Sequence, residues 1–312
     1  MPVLLDRRGF LLLGGGALLA GCTSGGQAST SPGPAGSSSV ATTSPRPPSP
    51  TASPSSAPSS APSSGPSSQA PPSLPKVTPW APDRGDVSPA AKAAAARHVE
   101  RHGNGPHRAI EVIEAQFGGL LPGSASVLVV CRSWQLADGR VLSGGATYDV
   151  RLSRSAAGWH TTKVHPSHPG PARRRLSPDA RAVLRSDRID LPPAARADVR
   201  SGRVHDSVLA AMLQMSRRYR IGVSVVRSGH PLYVFGTDRL SDHPQGRAFD
   251  TFRIDEHLVV DPRTPRRLVA SYMEAAAAAG SYNVGGPYLL GAAPQWFSDR
   301  THHDHVHAGF AE

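Results

Sequence analysis

The spacing of apolar residues divides the chain into a segment with no regular pattern and a longer segment that predicts helices and strands. Residues 23–78 are rich in Ser, Pro, Ala, Gly and Thr and contain almost no large apolar side chains. Such a stretch cannot bury enough apolar surface to offset the entropy lost on ordering it. The sequence therefore predicts a disordered tether over 23–78, which leaves about 230 residues for one large or two small domains.

The segment 79–172 is expected to form a small α+β domain that begins with two helices. Ala90–His102 is rich in alanine and is followed by glycine, which is typical of a helix and its end. A second helix is expected from Pro106, because Ile110, Ile113 and Phe117 repeat at helical spacing.

Strands are expected after these helices, where β-branched residues become frequent. Asp138-Gly139 is a typical turn sequence between the first two strands. The predicted strands are Ser124–Trp134, Ala146–Leu152 and Trp159–Val164.

The segment 173–312 is expected to form a second domain after a Pro- and Arg-containing joint at Pro169–Arg175. Apolar residues at helical spacing predict helices at Ser177–Arg185, Asp206–Arg220 and Thr264–Ala279. Strands are expected at Val223–Val226, around Asp250 and at Asp304–Phe310.

The first 22 residues are interpreted as a targeting segment rather than part of the fold. Arg7-Arg8 precedes an apolar run that is too short for the roughly 20 residues that span a bilayer. The run ends at Leu19-Ala20-Gly21-Cys22, which resembles a bacterial lipobox, and the paired arginines resemble a twin-arginine export signal. We therefore expect an exported protein that a lipid on Cys22 anchors to the outer face of the bacterial cytoplasmic membrane.

The remaining composition narrows the class of protein. Cys131 is the only other cysteine and follows a strand-like run, so a buried residue is expected there and no disulfide within the chain. The formal charge of +11 arises mostly from residues 79–176, where 13 Lys and Arg face seven Asp and Glu. This surface suits anionic wall polymers or lipid head groups, or is an ordinary solvated arginine-rich surface. No aromatic residues are interleaved with the arginines, and no nucleic-acid partner is expected.

The most definite chemistry lies in two separated stretches of the second predicted domain. His243 and Asp250 are seven residues apart, and Asp304-His305-Val306-His307 lies near the C-terminus. Two imidazoles and one carboxylate suit a catalytic zinc, which keeps one position open, whereas a structural zinc usually has four protein ligands. His305 and His307 would face one side of a strand, so one can bind metal while the other acts on substrate.

These residues resemble a known family. Ser-x-His-x-x-Gly-x-Ala-x-Asp followed by His-x-His is typical of zinc D-alanyl-D-alanine carboxypeptidases and dipeptidases, in the lysostaphin/D-Ala-D-Ala/hedgehog superfamily. The first motif runs from Ser241 to Asp250, with glycine at Gly246. The resemblance covers roughly residues 200–312 and implies an α+β fold. It implies a C-terminal peptidase-like domain with a small antiparallel sheet and flanking helices, and it does not explain residues 79–172. The small α+β domain and the tether that precede it are expected from the sequence pattern alone.

The resemblance also implies the role of each site residue. His243, Asp250 and His307 would bind Zn2+, and His305 would be the acid/base group, oriented by Asp304. A zinc-bound water would then be the nucleophile. Ser241 would stabilise the neighbouring loop.

One position departs from the family pattern. The family has an arginine after Ser-Gly-(Tyr/Phe), where it holds the substrate, but this chain has Ser228-Gly229-His230-Pro231. Arg227 and Arg239 are the nearby residues that can replace it, and the sequence does not choose between them.

The expected function is hydrolysis of an amide bond in peptidoglycan stem peptides by a lipid-anchored zinc metallopeptidase, with residues 79–172 in a supporting or wall-contacting role. Two alternatives remain open. In the first, the chain is an inactive peptidoglycan- or metal-binding lipoprotein that retains the fold, and the displaced arginine favours this interpretation. In the second, the His-rich end only scavenges metal. The sequence does not distinguish removal of a terminal residue from cleavage of a cross-link.

Overall fold

Apolar residues in the first half of the folded chain build a five-stranded antiparallel sheet with one helix packed against it. The computed structural model describes residues 72–311. The elements are α1 (Pro89–Gly103), β1 (Arg108–Leu120), β2 (Ser124–Ala137), β3 (Arg140–Gly144), β4 (Thr147–Ser155) and β5 (Gly158–Pro166). In this sheet the strand order is β1-β2-β4-β5, and β3 pairs with β2.

The helix predicted from Pro106 is wrong, because strand β1 occupies this segment. Ile110 and Phe117 are buried in the core between the sheet and α1, whereas Ile113 faces the other side and packs against Leu128 and Val130 of β2. Burial on both faces removes the alternation that identifies a strand, and it leaves apolar residues at spacings that resemble a helix.

The other helix and strand predictions for this half are confirmed, and one further strand is present. The Ala-rich helix and all three predicted strands are present. Asp138 and Gly139 both have positive φ, 50° and 67°, as a tight hairpin turn requires. This turn leads into the short strand β3, which the sequence did not predict.

The second half of the described chain forms a mostly antiparallel seven-stranded sheet with helices around it. The strands are β6 (Ile189–Asp190), β7 (Ile221–Val223), β8 (Ala248–Ile254), β9 (His257–Leu258), β10 (Asn283–Gly285), β11 (Trp296–Phe297) and β12 (Val306–Gly309). Their order in the sheet is β11-β10-β12-β8-β7-β6, and β9 pairs with β8. The helices are α2 (Pro178–Arg185), α3 (Pro193–Arg200), α4 (Asp206–Ser216), α5 (Arg266–Ala278) and a 3-10 turn (Thr301–His303).

Over residues 72–311 the fold is α+β, with five α-helices and two mostly antiparallel sheets. Each sheet has its own apolar core. A smaller cluster joins the two sheets: Val225, just after β7, packs with Leu128 and Val130 of β2. The described residues all belong to one compact unit, so the boundary at 172/173 separates two sheets that share buried contacts. That boundary itself stays a prediction.

The targeting segment 1–22, the lipidation site Cys22 and the tether up to residue 71 lie outside the described residues. Cys131 is buried in β2, as expected. Within residues 72–311, no helix has both the length and the apolar character needed to cross a bilayer.

Candidate metal centre

The pairing of the two central strands of the second sheet places two of the sequence-predicted ligands side by side. Strands β8 and β12 run antiparallel, and Asp250 is the direct partner of His307. Paired residues on adjacent strands point to the same face of a sheet. The carboxylate Oδ1 of Asp250 and Nδ1 of His307 are therefore only 3.0 Å apart, and both side chains are buried.

A tight turn before β8 brings the third residue to the same point. Gly246 has φ +77° and donates its N–H to the carbonyl of His243 at 2.8 Å. A Cβ at this glycine would lie 2.0 Å from the backbone oxygen of Arg203, so the turn requires a residue without one. The hydroxyl of Ser241 lies 3.4 Å from the backbone N–H of His243, in the loop that it was expected to stabilise.

Three potential ligand atoms meet where these elements converge. His243 Nε2 lies 3.0 Å from Asp250 Oδ1 and 3.1 Å from His307 Nδ1. With bonds of about 2.0–2.1 Å, ligand atoms around a tetrahedral zinc are separated by roughly 3.3 Å. One carboxylate oxygen and two imidazole nitrogens at this separation fit a divalent ion, so the residues present suit a metal.

The tautomer of His243 and the charges of His307 and Asp250 also suit metal binding, although burial is outweighed by Asp250, which raises the pKa of His243. His243 Nδ1 lies 2.8 Å from the carbonyl oxygen of Val226, which can only accept, so Nδ1 donates and Nε2 presents its lone pair. Burial lowers the pKa of His307 to about 4, although Asp250 opposes the shift, and its imidazole is neutral near pH 7. Burial would raise the pKa of Asp250, but His243 and His305 hold it well below its ordinary value.

A further histidine, for which the sequence indicated no role, lies beside this trio. The ring of His230 stacks on that of His243, with centroids 4.3 Å apart. Ligand atoms of His230, His243 and Asp250 lie within 4.8 Å of one another, so this cluster could hold a metal ion. His230 stands one residue before the position where the family pattern has its arginine, and only the folded chain brings it to the cluster.

The pair predicted for proton transfer lies next to the same cluster. His305 Nδ1 is 2.5 Å from Asp304 Oδ1, and Nε2 of the same ring is 3.8 Å from Asp250 Oδ2. A carboxylate only accepts, so Nδ1 donates to Asp304 and Nε2 faces the metal cluster. Burial would lower the pKa of His305, but Asp250 and Asp304 outweigh it and raise that pKa above its ordinary value.

Two buried polar side chains of the first half of the chain bond to carboxylates of this site, and the sequence did not indicate either. Lys92 of α1 places Nζ 2.6 Å from Asp304 Oδ2, and both side chains are buried. Gln116 of β1 donates from Nε2 to Asp250 Oδ2 at 2.6 Å. Burial would raise the pKa of Asp304, but Lys92 and His305 lower it to about 2, so the carboxylate is ionised at neutral pH.

The cluster lies in a cleft of about 660 Å³, a size typical of small-molecule and peptide sites. Both halves of the chain build its walls. Residues that line the cleft include Phe117–Leu121, His230, Phe235, Arg239, Phe297 and Arg300–His302.

The two candidate arginines lie in different places. Arg239 lines the cleft. Arg227 does not, because its guanidinium donates to the carbonyl oxygens of His168 and Pro169, at 3.3 and 3.1 Å. Arg300, to which the sequence assigned no role, also lines the cleft.

The neighbouring histidine His302 also lines the cleft. Its Nδ1 lies 2.9 Å from Asp299 Oδ1, and its ring centroid is 5.2 Å from that of His305. Asp242, beside a ligand residue in sequence, is buried and accepts a hydrogen bond from the Tyr282 hydroxyl at 2.7 Å.

The site therefore has a cluster of histidines and one carboxylate suited to a metal, a buried Asp–His pair, and a cleft with two arginines. Comparisons of the chain with protein-family models, with curated proteins and with solved structures found no match.

Proposed function

We propose that this chain is a zinc metallopeptidase that hydrolyses an amide bond in peptidoglycan stem peptides. The observation that carries the proposal is that His243 Nε2, Asp250 Oδ1 and His307 Nδ1 lie within 3.0–3.1 Å of one another, and that all three residues line a cleft. Three such ligands leave a position for substrate or water. The motif resemblance that starts at Ser241 supplies the substrate class.

Each residue has a role that follows from its contacts. A zinc ion held by the three ligands would supply Lewis acidity and lower the pKa of a water. His305 is held by Asp304 with Nε2 toward the cleft, so it accepts a proton from the attacking water and returns it to the leaving amine. Arg239 and Arg300 carry positive charge at the cleft, where they attract a carboxylate of the substrate.

The ligand set is proposed as His243, Asp250 and His307, with His230 outside it. Nδ1 of His307 lies as close to Asp250 as Nε2 of His243 does. His230 Nδ1 is directed to the carbonyl of its neighbour Pro231 at 3.0 Å, and burial lowers its pKa well below the ordinary value. Its neutral Nε2 is therefore also available to a metal, and the motif resemblance is what leaves His230 out of the proposed set. A neutral, stacked His230 packs against His243 and stabilises its ring orientation.

The test compares the purified full-length chain with its His307→Ala and His230→Ala variants. Zinc content and muropeptide products are measured by mass spectrometry, with and without a chelator. We expect His307→Ala to lose both zinc and cleavage, and His230→Ala to retain stoichiometric zinc. Wall-peptide cleavage that persists in His307→Ala or in the chelated chain contradicts the proposal.

A second candidate function is binding of wall peptides without turnover. It is favoured by Pro231 at the position of the family's substrate-holding arginine. The muropeptide assay separates the two, because a binding protein retains the peptide and releases it unchanged.

The location is proposed as the outer face of the cytoplasmic membrane, through a lipid on Cys22. Replacement of Cys22 with Ser should move the protein from the membrane fraction to the soluble fraction and abolish incorporation of labelled fatty acid. Membrane retention of that variant contradicts the proposed anchor.

A further inference from the structure

Gln116 is a buried polar side chain that reaches from the first sheet into the metal centre. It lies on β1, is fully buried, and contacts Asp250, a residue 134 positions further along the chain. The contact joins Nε2 of the amide to Oδ2 of the carboxylate at 2.6 Å. Because an ionised carboxylate has no proton to donate, the amide nitrogen must face it, and this fixes the orientation of the amide.

The contact makes the two oxygens of Asp250 different. Oδ1 lies 3.0 Å from the ring nitrogens of both His243 and His307. Oδ2 accepts the hydrogen bond from Gln116 and has His305 Nε2 at 3.8 Å. One oxygen therefore faces the ligand cluster while the other is engaged outside it.

A second buried residue holds Gln116 in place. The hydroxyl of Ser224 donates to the amide oxygen of Gln116, so both ends of the amide are bound. The backbone N–H of Ser224 donates to the carbonyl of Asp250 at 3.0 Å, and that of Asp250 donates to the carbonyl of Val225 at 2.8 Å. Backbone and side chain of Asp250 are thus restrained by the same neighbouring segment and by Gln116.

The freedom of the Asp250 carboxylate to turn determines how many positions around a metal ion it can occupy. A carboxylate binds a divalent ion through one or both oxygens, and its second oxygen would take the position that substrate or water needs. Hydrogen bonds to ligand side chains are known to tune metal affinity by about 10–100-fold. An engaged Oδ2 keeps the site at three protein ligand atoms.

We propose that Gln116 is a positioning residue of the metal centre, which restricts Asp250 to one-oxygen ligation and so keeps a coordination position open. The inference rests on the proposed metal site. It also makes residues 79–172 part of that site, because β1 supplies Gln116.

The experiment uses the full-length chain and Co2+, whose visible d–d absorption weakens as its coordination number rises. Affinity for Co2+ and Zn2+ and the Co2+ spectrum are measured for the unchanged chain, Gln116→Leu, Gln116→Glu and Ser224→Ala. Ser126→Ala is the matched control, because Ser126 is buried in the same sheet and donates to Asp149 at 2.6 Å, away from the ligand cluster.

We expect Gln116→Leu and Gln116→Glu to weaken metal affinity by about 10–100-fold and to reduce the intensity of the Co2+ band. Ser224→Ala, which retains Gln116, should change both quantities in the same direction but less. Ser126→Ala should alter neither.

Two outcomes distinguish failure of the positioning role of Gln116 from failure of the proposed function. If Gln116→Glu or Gln116→Leu leaves both the metal affinity and the Co2+ absorption band unchanged, the positioning role is wrong, and the proposed metal site is retained. If the unchanged chain binds neither Co2+ nor Zn2+, the proposed function fails, and the positioning role fails with it. Should Gln116→Leu not fold, Gln116→Glu and Ser224→Ala decide the matter, since the first keeps a polar group beside Asp250 and the second keeps Gln116 itself.

Discussion

Lys92 Nζ lies 2.6 Å from Asp304 Oδ2, and this contact links the first helix of the described chain to the proposed proton-transfer pair. Lys92 also forms an ion pair with Asp86, and the charge of Glu114 acts on it as well. Burial would lower the pKa of Lys92, but the surrounding carboxylates outweigh it, so the lysine stays protonated. One buried cation therefore balances several acidic groups.

Replacement of Lys92 with Met should lower the free energy of unfolding by about 3–5 kcal/mol, because buried carboxylates lose their counter-charge. Chemical denaturation of the full-length chain measures this. Lys163→Met is the control, since Lys163 is exposed on β5 and should change stability by less than about 0.5 kcal/mol. Equal effects of the two substitutions would contradict the role assigned to Lys92.

Glu114 should make the protein less stable as the pH rises from about 4.5 to 7. Burial raises the pKa of this carboxyl to about 7, against opposition from Lys92. In that window the unfolded chain releases the proton while the folded chain retains it, so the stability present below pH 4.5 is lost progressively up to pH 7. Denaturation across this range should show the slope, and Glu114→Gln should reduce it. A slope that is the same in both proteins would assign the effect to other groups.

Replacement of Gly246 with Ala should cost at least about 2 kcal/mol of stability and weaken metal binding. The added Cβ meets the backbone of Arg203 at a positive φ, and the turn carries His243. Gly139→Ala is the control, because Gly139 also has positive φ but has no atom within 4 Å of the added Cβ. It should cost only about 1 kcal/mol and leave metal affinity unchanged.

His305→Gln should retain bound zinc and lower turnover of wall peptides by about 10²–10⁴-fold, because the residue transfers protons without being one of the three proposed ligands. Zinc content and steady-state rates measure the two effects. Loss of zinc from this variant would show that His305 is a ligand and that the roles of the two C-terminal histidines need to be exchanged.

Arg239→Ala and Arg300→Ala should each raise KM for wall peptides by about 10–100-fold, since a hydrogen bond to a charged group contributes about 1.5–3 kcal/mol. Arg227→Ala should leave KM unchanged and reduce stability instead, because Arg227 is bonded to backbone carbonyls. A KM change confined to Arg227→Ala would instead place the substrate beside that residue.

The sequence predicted two residues of the possible metal cluster, His243 and Asp250, but not the third, His230. His243, Asp250 and the C-terminal histidine pair belong to short motifs, so their residue types and spacing alone indicated a metal. The α+β class and most elements followed from local patterns, since each helix or strand shows its own periodicity. Strand β1 was missed because burial on both faces removed its alternation.

Contacts between distant segments were beyond prediction from one sequence. Lys92, Gln116 and His230 carry no motif, and each acts through a partner that only folding brings near. Choice between Arg227 and Arg239 also depended on side-chain direction, which spacing does not encode.

The hydrogen bond between Gln116 and Asp250 joins positions 134 apart, so its formation closes a long segment of chain and costs loop-closure entropy. Because this bond joins the two sheets, full metal affinity at the proposed site would require that both sheets have assembled. A nascent, nicked or truncated polypeptide would release the metal ion, so unfinished copies of the protein would not sequester metal.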